Sequence, residues 1–166
     1  MAIQVVSRPS PNFNSRKGAA IDCIVIHDTE SATADAALSW FESPTSQASA
    51  HYLIDRDGTI YRCVQEAARA WHAGVSALRG RSDVNTFSVG IELVGFSTQG
   101  YTEDQLRVLI ETCVDLSLRN HGITIARIVS HQEIALPPGR KHDPGPNFPW
   151  VEFRSRVQLA LGAAIV

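Results

Sequence analysis

The chain reads as an α/β domain, on three features. DCIVIH (residues 22–27) is a short, nearly continuous apolar run rich in β-branched residues, which suits a strand covered on both faces. HYLID and TIYRCV flank Arg56-Asp57-Gly58, the strand, glycine turn and strand of a hairpin. Elsewhere apolar residues recur at helical spacing, as Leu106, Leu109, Ile110, Cys113 and Val114 do. With 166 residues the chain is expected to form a single domain over 1–166. That length lets it bury roughly 70% of the surface of its unfolded form, so neither a disulfide nor a metal is required merely to fold it.

Taken in order, the run at 22–27 leaves its polar end, His27 and Asp28, at the sheet rim. Ser31 or Thr33 caps a helix through about Glu42, in which Ala37, Leu38 and Phe41 face a core until Pro44 stops it. A Ser/Thr/Gln linker leads to the hairpin. AARAWHAGVSALRGRSDVNTF (67–87) has no sustained periodicity and should be an ordered surface loop, of a length at which loops are often functional. In SVGIELVG (88–95) Val89, Ile91 and Leu93 share one face of a strand and Glu92 lies on the other beside two glycines. A carboxylate in mid-strand among apolar neighbours calls for a reason. Thr102 and Gln105 form a capping-box pattern at the head of a helix that Asn120-His121-Gly122 ends. ITIARIVS (123–130) makes a further strand ending just before His131, and WVEFRSRVQLALGAA (150–164) a terminal helix.

Composition narrows the function classes. Apolar content of 44% and charged content of 19% are those of an ordinary soluble domain, and a net charge of −2 gives no basic footprint for nucleic acid. That charge attracts no anionic polymer either, so recognition of any such polymer has to be local. Cys23, Cys63 and Cys113 lie far apart in apolar stretches without CxxC spacing and read as buried thiols. Their odd number argues against an oxidising export route. The amino-terminal MAIQVVSRPSPNFNSRKG lacks the apolar core of a secretory signal, and VQLALGAAIV is too short to span a bilayer, so no membrane insertion is expected. The oligomeric expectation is a monomer.

The richest stretch is SHQEIALPPGRKHDPGPNFPW (130–150), which places His131, Lys141, His142 and Asp143 in a loop stiffened by five prolines. A histidine and a carboxylate give zinc one nitrogen and one oxygen, and a third ligand from elsewhere leaves the fourth position open, as in catalytic rather than structural sites. His27 is the candidate for that third ligand. It and His131 each follow an apolar strand immediately, so neighbouring strands would bring both imidazoles to one rim.

IVIHDT, SAHYLIDRDG, AWHAG, SVGIEL, SHQEI and GRKHDPGPNFPW, in this order from about Cys23 to Trp150, resemble the motif series of zinc-dependent N-acetylmuramoyl-L-alanine amidases of the type 2 family. That family includes anhydromuropeptide-recycling and wall-degrading bacterial and phage amidases, endolysins among them, and animal peptidoglycan-recognition proteins. The resemblance implies a central mixed β-sheet flanked by helices on both faces. It implies Zn2+ held by His27, His131 and Asp143, with Glu92 as general base and Lys141 steadying the developing oxyanion. The aspartate at 143 resembles the bacterial or phage branch. His142, where relatives carry a smaller residue, is left outside the metal shell, because adjacent side chains diverge.

The activity so implied is hydrolysis of the amide between N-acetylmuramic acid and L-alanine, in peptidoglycan or in a muropeptide. The alternative is a recognition module that binds peptidoglycan without cutting it. His51, Trp71, His72 and Asn85 are candidates for substrate binding, with Arg79 or Arg81 supplying charge for stem-peptide carboxylates. The absent signal fits a cytoplasmic enzyme acting on recycled fragments, or a phage lysin released at lysis.

Overall fold

The run that begins at Cys23 is buried along its whole length because strands pair with both its edges and apolar clusters pack on both its faces. A computed structural model describes residues 5–164, so residues 1–4 and 165–166, the outer ends of the expected domain, lie outside the described residues. In chain order, β1 (Val5–Ser7) and β2 (Phe13–Ser15) precede β3 (Cys23–Asp28) and α1 (Ala34–Glu42). The hairpin of β4 (Tyr52–Ile54) and β5 (Ile60–Arg62) follows, then the short β6 (Ala68–Ala70), β7 (Ala77–Leu78) and β8 (Arg81–Ser82). β9 (Ser88–Leu93), α2 (Glu103–Arg119), β10 (Ile128–Ser130), the single turn α3 (His131–Ile134) and α4 (Trp150–Ala164) complete the chain.

Six strands form one sheet in the order β1-β5-β4-β9-β3-β10. It is mixed: β4 and β5 pair antiparallel, while β3 is parallel to both β9 and β10. One face carries α2 and α4, whose Leu109, Cys113, Leu116, Phe153 and Val157 pack on Ile24, Ile26, Val89, Ile91 and Leu93. The other face carries α1, whose Ala34, Ala37, Leu38 and Phe41 pack on Leu53, Cys63 and Val94. Helices therefore flank the sheet on both sides, as expected. Among the described residues no helix is long and apolar enough to cross a membrane, and all three cysteines are buried free thiols.

Local chemistry explains the helix starts. Thr33, rather than Ser31, caps α1, its hydroxyl accepting from the Ala36 N–H. At α2 the Thr102 hydroxyl accepts from the Gln105 N–H while the Gln105 side chain accepts from the Thr102 N–H, the reciprocal capping box.

Two expectations need correction. Residues 67–87 are not loop throughout: β6 pairs with β2, and β7 with β8 across the Arg79-Gly80 turn. These strands are two or three residues long, too short for alternation to register. Of ITIARIVS only Ile128–Ser130 is strand, because Ile125–Arg127 winds into a 3-10 turn before the chain enters the sheet.

Alternation along the two central strands positions the site. On β3, Ile24 and Ile26 enter the α2/α4 core while Cys23 and Val25 enter the opposite one, which puts His27 on that opposite face. On β9, Val89, Ile91 and Leu93 take the α2/α4 side, so Ser88, Gly90 and Glu92 turn towards the face of His27. In the parallel register His27 stands directly beside Glu92.

Candidate metal centre

Three chain segments converge beyond the end of β3. β3 brings His27, β10 delivers His131 as the first residue of α3, and the proline-rich loop returns Asp143. The loop is tied down: Gln132 N–H donates to the Asp143 carbonyl, and Gly145 N–H donates to Asp28 Oδ2 at 3.1 Å. Asp28 also accepts from the Tyr101 hydroxyl, 2.9 Å from each carboxylate oxygen. Gly145 has no room for a side chain, since a Cβ there would fall 1.8 Å from the Ser97 carbonyl oxygen.

His27 Nδ1 lies 3.0 Å from His131 Nδ1, and each lies 3.1 Å from Asp143 Oδ2. Ligands placed at zinc distances around a tetrahedron stand about 3.3 Å apart, so this triangle needs little adjustment to hold such an ion. The donor chemistry fits as well. His131 Nε2 faces the Ala73 carbonyl at 3.2 Å, which only accepts, so Nε2 carries a proton and Nδ1 is the atom turned to the triangle. Burial, opposed by Asp143, pushes the His27 pKa down to about 4 and keeps that ring neutral at pH 7. Electron-rich atoms brought this close call for a cation between them. His142 is exposed and outside the triangle.

A cleft of about 500 Å³ opens over the triangle. Glu92 and Lys141 line it together with His27, His131 and Asp143. Glu92 is buried, its Oε2 meets no hydrogen-bond partner among the described residues, and burial followed by Asp143 and Asp28 raises its pKa well above the ordinary carboxyl value. Burial likewise lifts Asp28 to about 6, against the Gly145 and Tyr101 hydrogen bonds.

The expected substrate-binding residues divide. Trp71 and His72 line the cleft. His51, Asn85 and Arg81 do not. His51 is fully buried, its Nδ1 accepting from the Gly90 N–H and its Nε2 lying against Ala68 O and Arg16. Asn85 is buried with its Oδ1 accepting from the N–H groups of His72 and Ala73. Arg81 stacks on Phe87 and pairs with Asp22, which precedes β3, so it belongs to the opposite rim, about 16 Å along the strand from His27. Arg79 bonds the Ala126 carbonyl and does not line the cleft either.

The cleft also holds residues that pattern reading passed over. Trp40 projects from α1 with 59% of its surface exposed, next to the core-facing Phe41. An aromatic falling off the apolar stripe of an otherwise regular helix was the available signal. Glu30, beyond β3, lines the opening as well, beside Asp28, the last residue of that strand.

A family model described as N-acetylmuramoyl-L-alanine amidase matches residues 17–146. The 1,6-anhydro-N-acetylmuramyl-L-alanine amidase AmpD of Citrobacter freundii is 47% identical over 109 residues, which cover 66% of this chain and 57% of that protein. The chain thus spans under two thirds of that relative's length. A crystal structure of a selenomethionine AmpD derivative matches with a TM-score of 0.81 and 33% identity, over 94% of this chain and 96% of that one. The amidase AmiD of Escherichia coli, in complex with the substrate anhydro-N-acetylmuramic acid-L-Ala-D-γ-Glu-L-Lys, matches with a TM-score of 0.75 and 33% identity, over 86% of this chain and 58% of that one.

Proposed function

The chain belongs to the N-acetylmuramoyl-L-alanine amidase family, and on that premise we propose that it is a single-domain zinc hydrolase cleaving the amide between N-acetylmuramic acid and L-alanine. The observation that carries this reading is the donor triangle of His27, His131 and Asp143 opening onto a cleft that also contains the buried Glu92 carboxylate, whose Oε2 meets no partner among the described residues.

Zinc held there would polarise the scissile carbonyl and acidify a water. The remaining steps fall to the chain itself. Glu92 takes a proton from the attacking water as its oxygen joins the carbonyl carbon. With its pKa raised by burial, the carboxyl holds that proton and passes it to the alanine nitrogen as the C–N bond breaks; the second water proton, left on the new lactyl carboxyl, then moves to the freed amine, giving carboxylate and ammonium. Lys141 places a cation at the cleft where negative charge develops on the carbonyl oxygen. Trp71 and Trp40 offer aromatic surface to the sugar.

The names of the relatives favour a soluble anhydromuropeptide over intact wall as substrate. Incubation with anhydromuropeptide and with insoluble sacculi, each with and without chelator, tests the reading through released stem peptide. Chelator-sensitive release, faster from the soluble fragment, is the expected result. Binding without release would establish the recognition module instead, and faster release from sacculi would reverse the substrate preference.

A further inference from the structure

His72 lines the cleft, yet its ring is spent elsewhere. Its Nδ1 lies 3.0 Å from His27 Nε2, and its Nε2 lies 3.1 Å from the Ser88 hydroxyl. Counting protons decides what these contacts are. The Ser88 hydroxyl lies 2.7 Å from the Val84 carbonyl oxygen, its shorter contact and one that only accepts, so its single proton goes there. Towards His72 the serine oxygen is then an acceptor. His72 accordingly carries its proton on Nε2 and presents a bare Nδ1 to His27. A bare nitrogen is met by an N–H, so His27 carries its proton on Nε2 and its own Nδ1 is left bare, facing His131 and Asp143.

The surroundings hold this chain of contacts in place. Asn85 Oδ1 accepts from the N–H groups of His72 at 3.0 Å and Ala73 at 2.8 Å, pinning the backbone that carries the ring. Gly90, between Ser88 and Glu92 on the same face of β9, makes room for it: a Cβ there would lie 2.4 Å from His72 Cγ. His72 and Ser88 are both buried.

We propose that His72, anchored by Ser88, is a positioning residue that fixes His27 as its Nε2–H tautomer and so aims the His27 Nδ1 lone pair at the metal. This rests on the zinc reading of the triangle. Metal-bound imidazoles are usually oriented by a carboxylate, a carbonyl or a water, and His131 follows that habit through Ala73. The His72–Ser88 relay is neutral. It orients the ligand without the negative charge of a carboxylate partner, which leaves more of the metal's charge for the scissile carbonyl.

The test uses the zinc-loaded protein with 15N-labelled histidine. A nitrogen–nitrogen coupling across the hydrogen bond is expected between His27 Nε2 and His72 Nδ1. Chelator competition should show His72→Ala and Ser88→Ala each weakening zinc about 10-fold to 100-fold. His72→Asn, whose amide oxygen replaces Nδ1 as acceptor, should recover most of that loss. Ser88→Ala removes one buried oxygen and touches neither zinc nor His27. If the metal-free variant melts like the wild type while its zinc affinity falls, the effect has passed through the His72 ring. Absence of the coupling, or wild-type zinc affinity in both alanine variants, overturns the proposal. Peptide release is followed in parallel: an intact coupling and the expected zinc losses without any release overturn the amidase reading and leave the relay standing. A wild-type chain that binds no zinc overturns both.

Discussion

Glu92 and His51 are two buried titratable side chains with opposite duties. Glu92→Gln keeps the shape and removes the proton acceptor, so it should retain zinc while turnover falls roughly 100-fold to 10,000-fold. Metal analysis beside a peptide-release assay checks this, and undiminished turnover removes Glu92 as the base. His51 serves the fold. Burial, then Arg16, pushes its pKa down to about 3, against about 6.5 in the unfolded chain. Between those values the unfolded chain binds more protons than the folded one. Stability from this group is complete above about pH 6.5 and is lost as pH falls towards 3, by up to about 1.4 kcal/mol per unit. Asp28, held up at about 6, pulls the other way, so the ring itself is the clean readout. Its proton shifts should stay flat from about pH 8 to about pH 5, and an inflection near 6.5 would contradict the burial argument. His51 precedes and Glu92 interrupts a strand pattern visible in the sequence, yet only the carboxylate was legible as exceptional. A lone histidine opening HYLID looks the same whether it faces substrate or a buried arginine.

Among the elements, those with long periodic patterns were the legible ones. α2 carries a capping box and a sustained apolar face, and it begins where Thr102 and Gln105 place it. β3 and β9 were readable for the same reason, and their parallel register beside each other then determines that His27 meets Glu92. β1 and β2 left no trace, because VVS and FNS are exposed at every position and so show no alternation. The loop after α3 was legible in its candidate donor, Asp143, but not in its support. Nothing in sequence order links Asp143 to Ser97 and Tyr101, although both elements brace it. That bracing can be tested at Gly145, where an added Cβ would meet backbone rather than a yielding side chain. Gly145→Ala should force the 143–147 segment or the 95–100 segment to move, costing about 1–3 kcal/mol of stability. Zinc affinity, measured by chelator competition, should drop with it because Asp143 is two residues away. A variant that keeps both wild-type stability and wild-type affinity would show that the loop is not held where Gly145 touches Ser97.

At the scale of the whole molecule, the ion is expected to act as a cross-link between parts of the fold that are distant in sequence. His27 lies one residue before the end of a central strand, His131 opens the turn after an edge strand, and Asp143 sits in the segment that leads to α4. No unfolded chain holds three such groups together, so zinc binds the native state almost exclusively and raises its stability by mass action. At free zinc about 1,000 times the dissociation constant the gain is about 4 kcal/mol. For a domain of this size each kcal/mol moves the melting temperature by roughly 2–4 °C, so zinc should raise it by roughly 8–16 °C, and chelator should reverse the rise. Melting at increasing free zinc checks the prediction, because the midpoint has to keep climbing with concentration beyond saturation of the site. His131→Ala supplies the control, since it removes one donor and should abolish most of the shift while leaving the hydrophobic cores intact. A melting temperature indifferent to zinc in the wild-type chain would mean that the three segments are held by packing alone. The triangle would then be a set of neighbouring polar groups rather than a metal centre, however closely the fold follows that of its relatives.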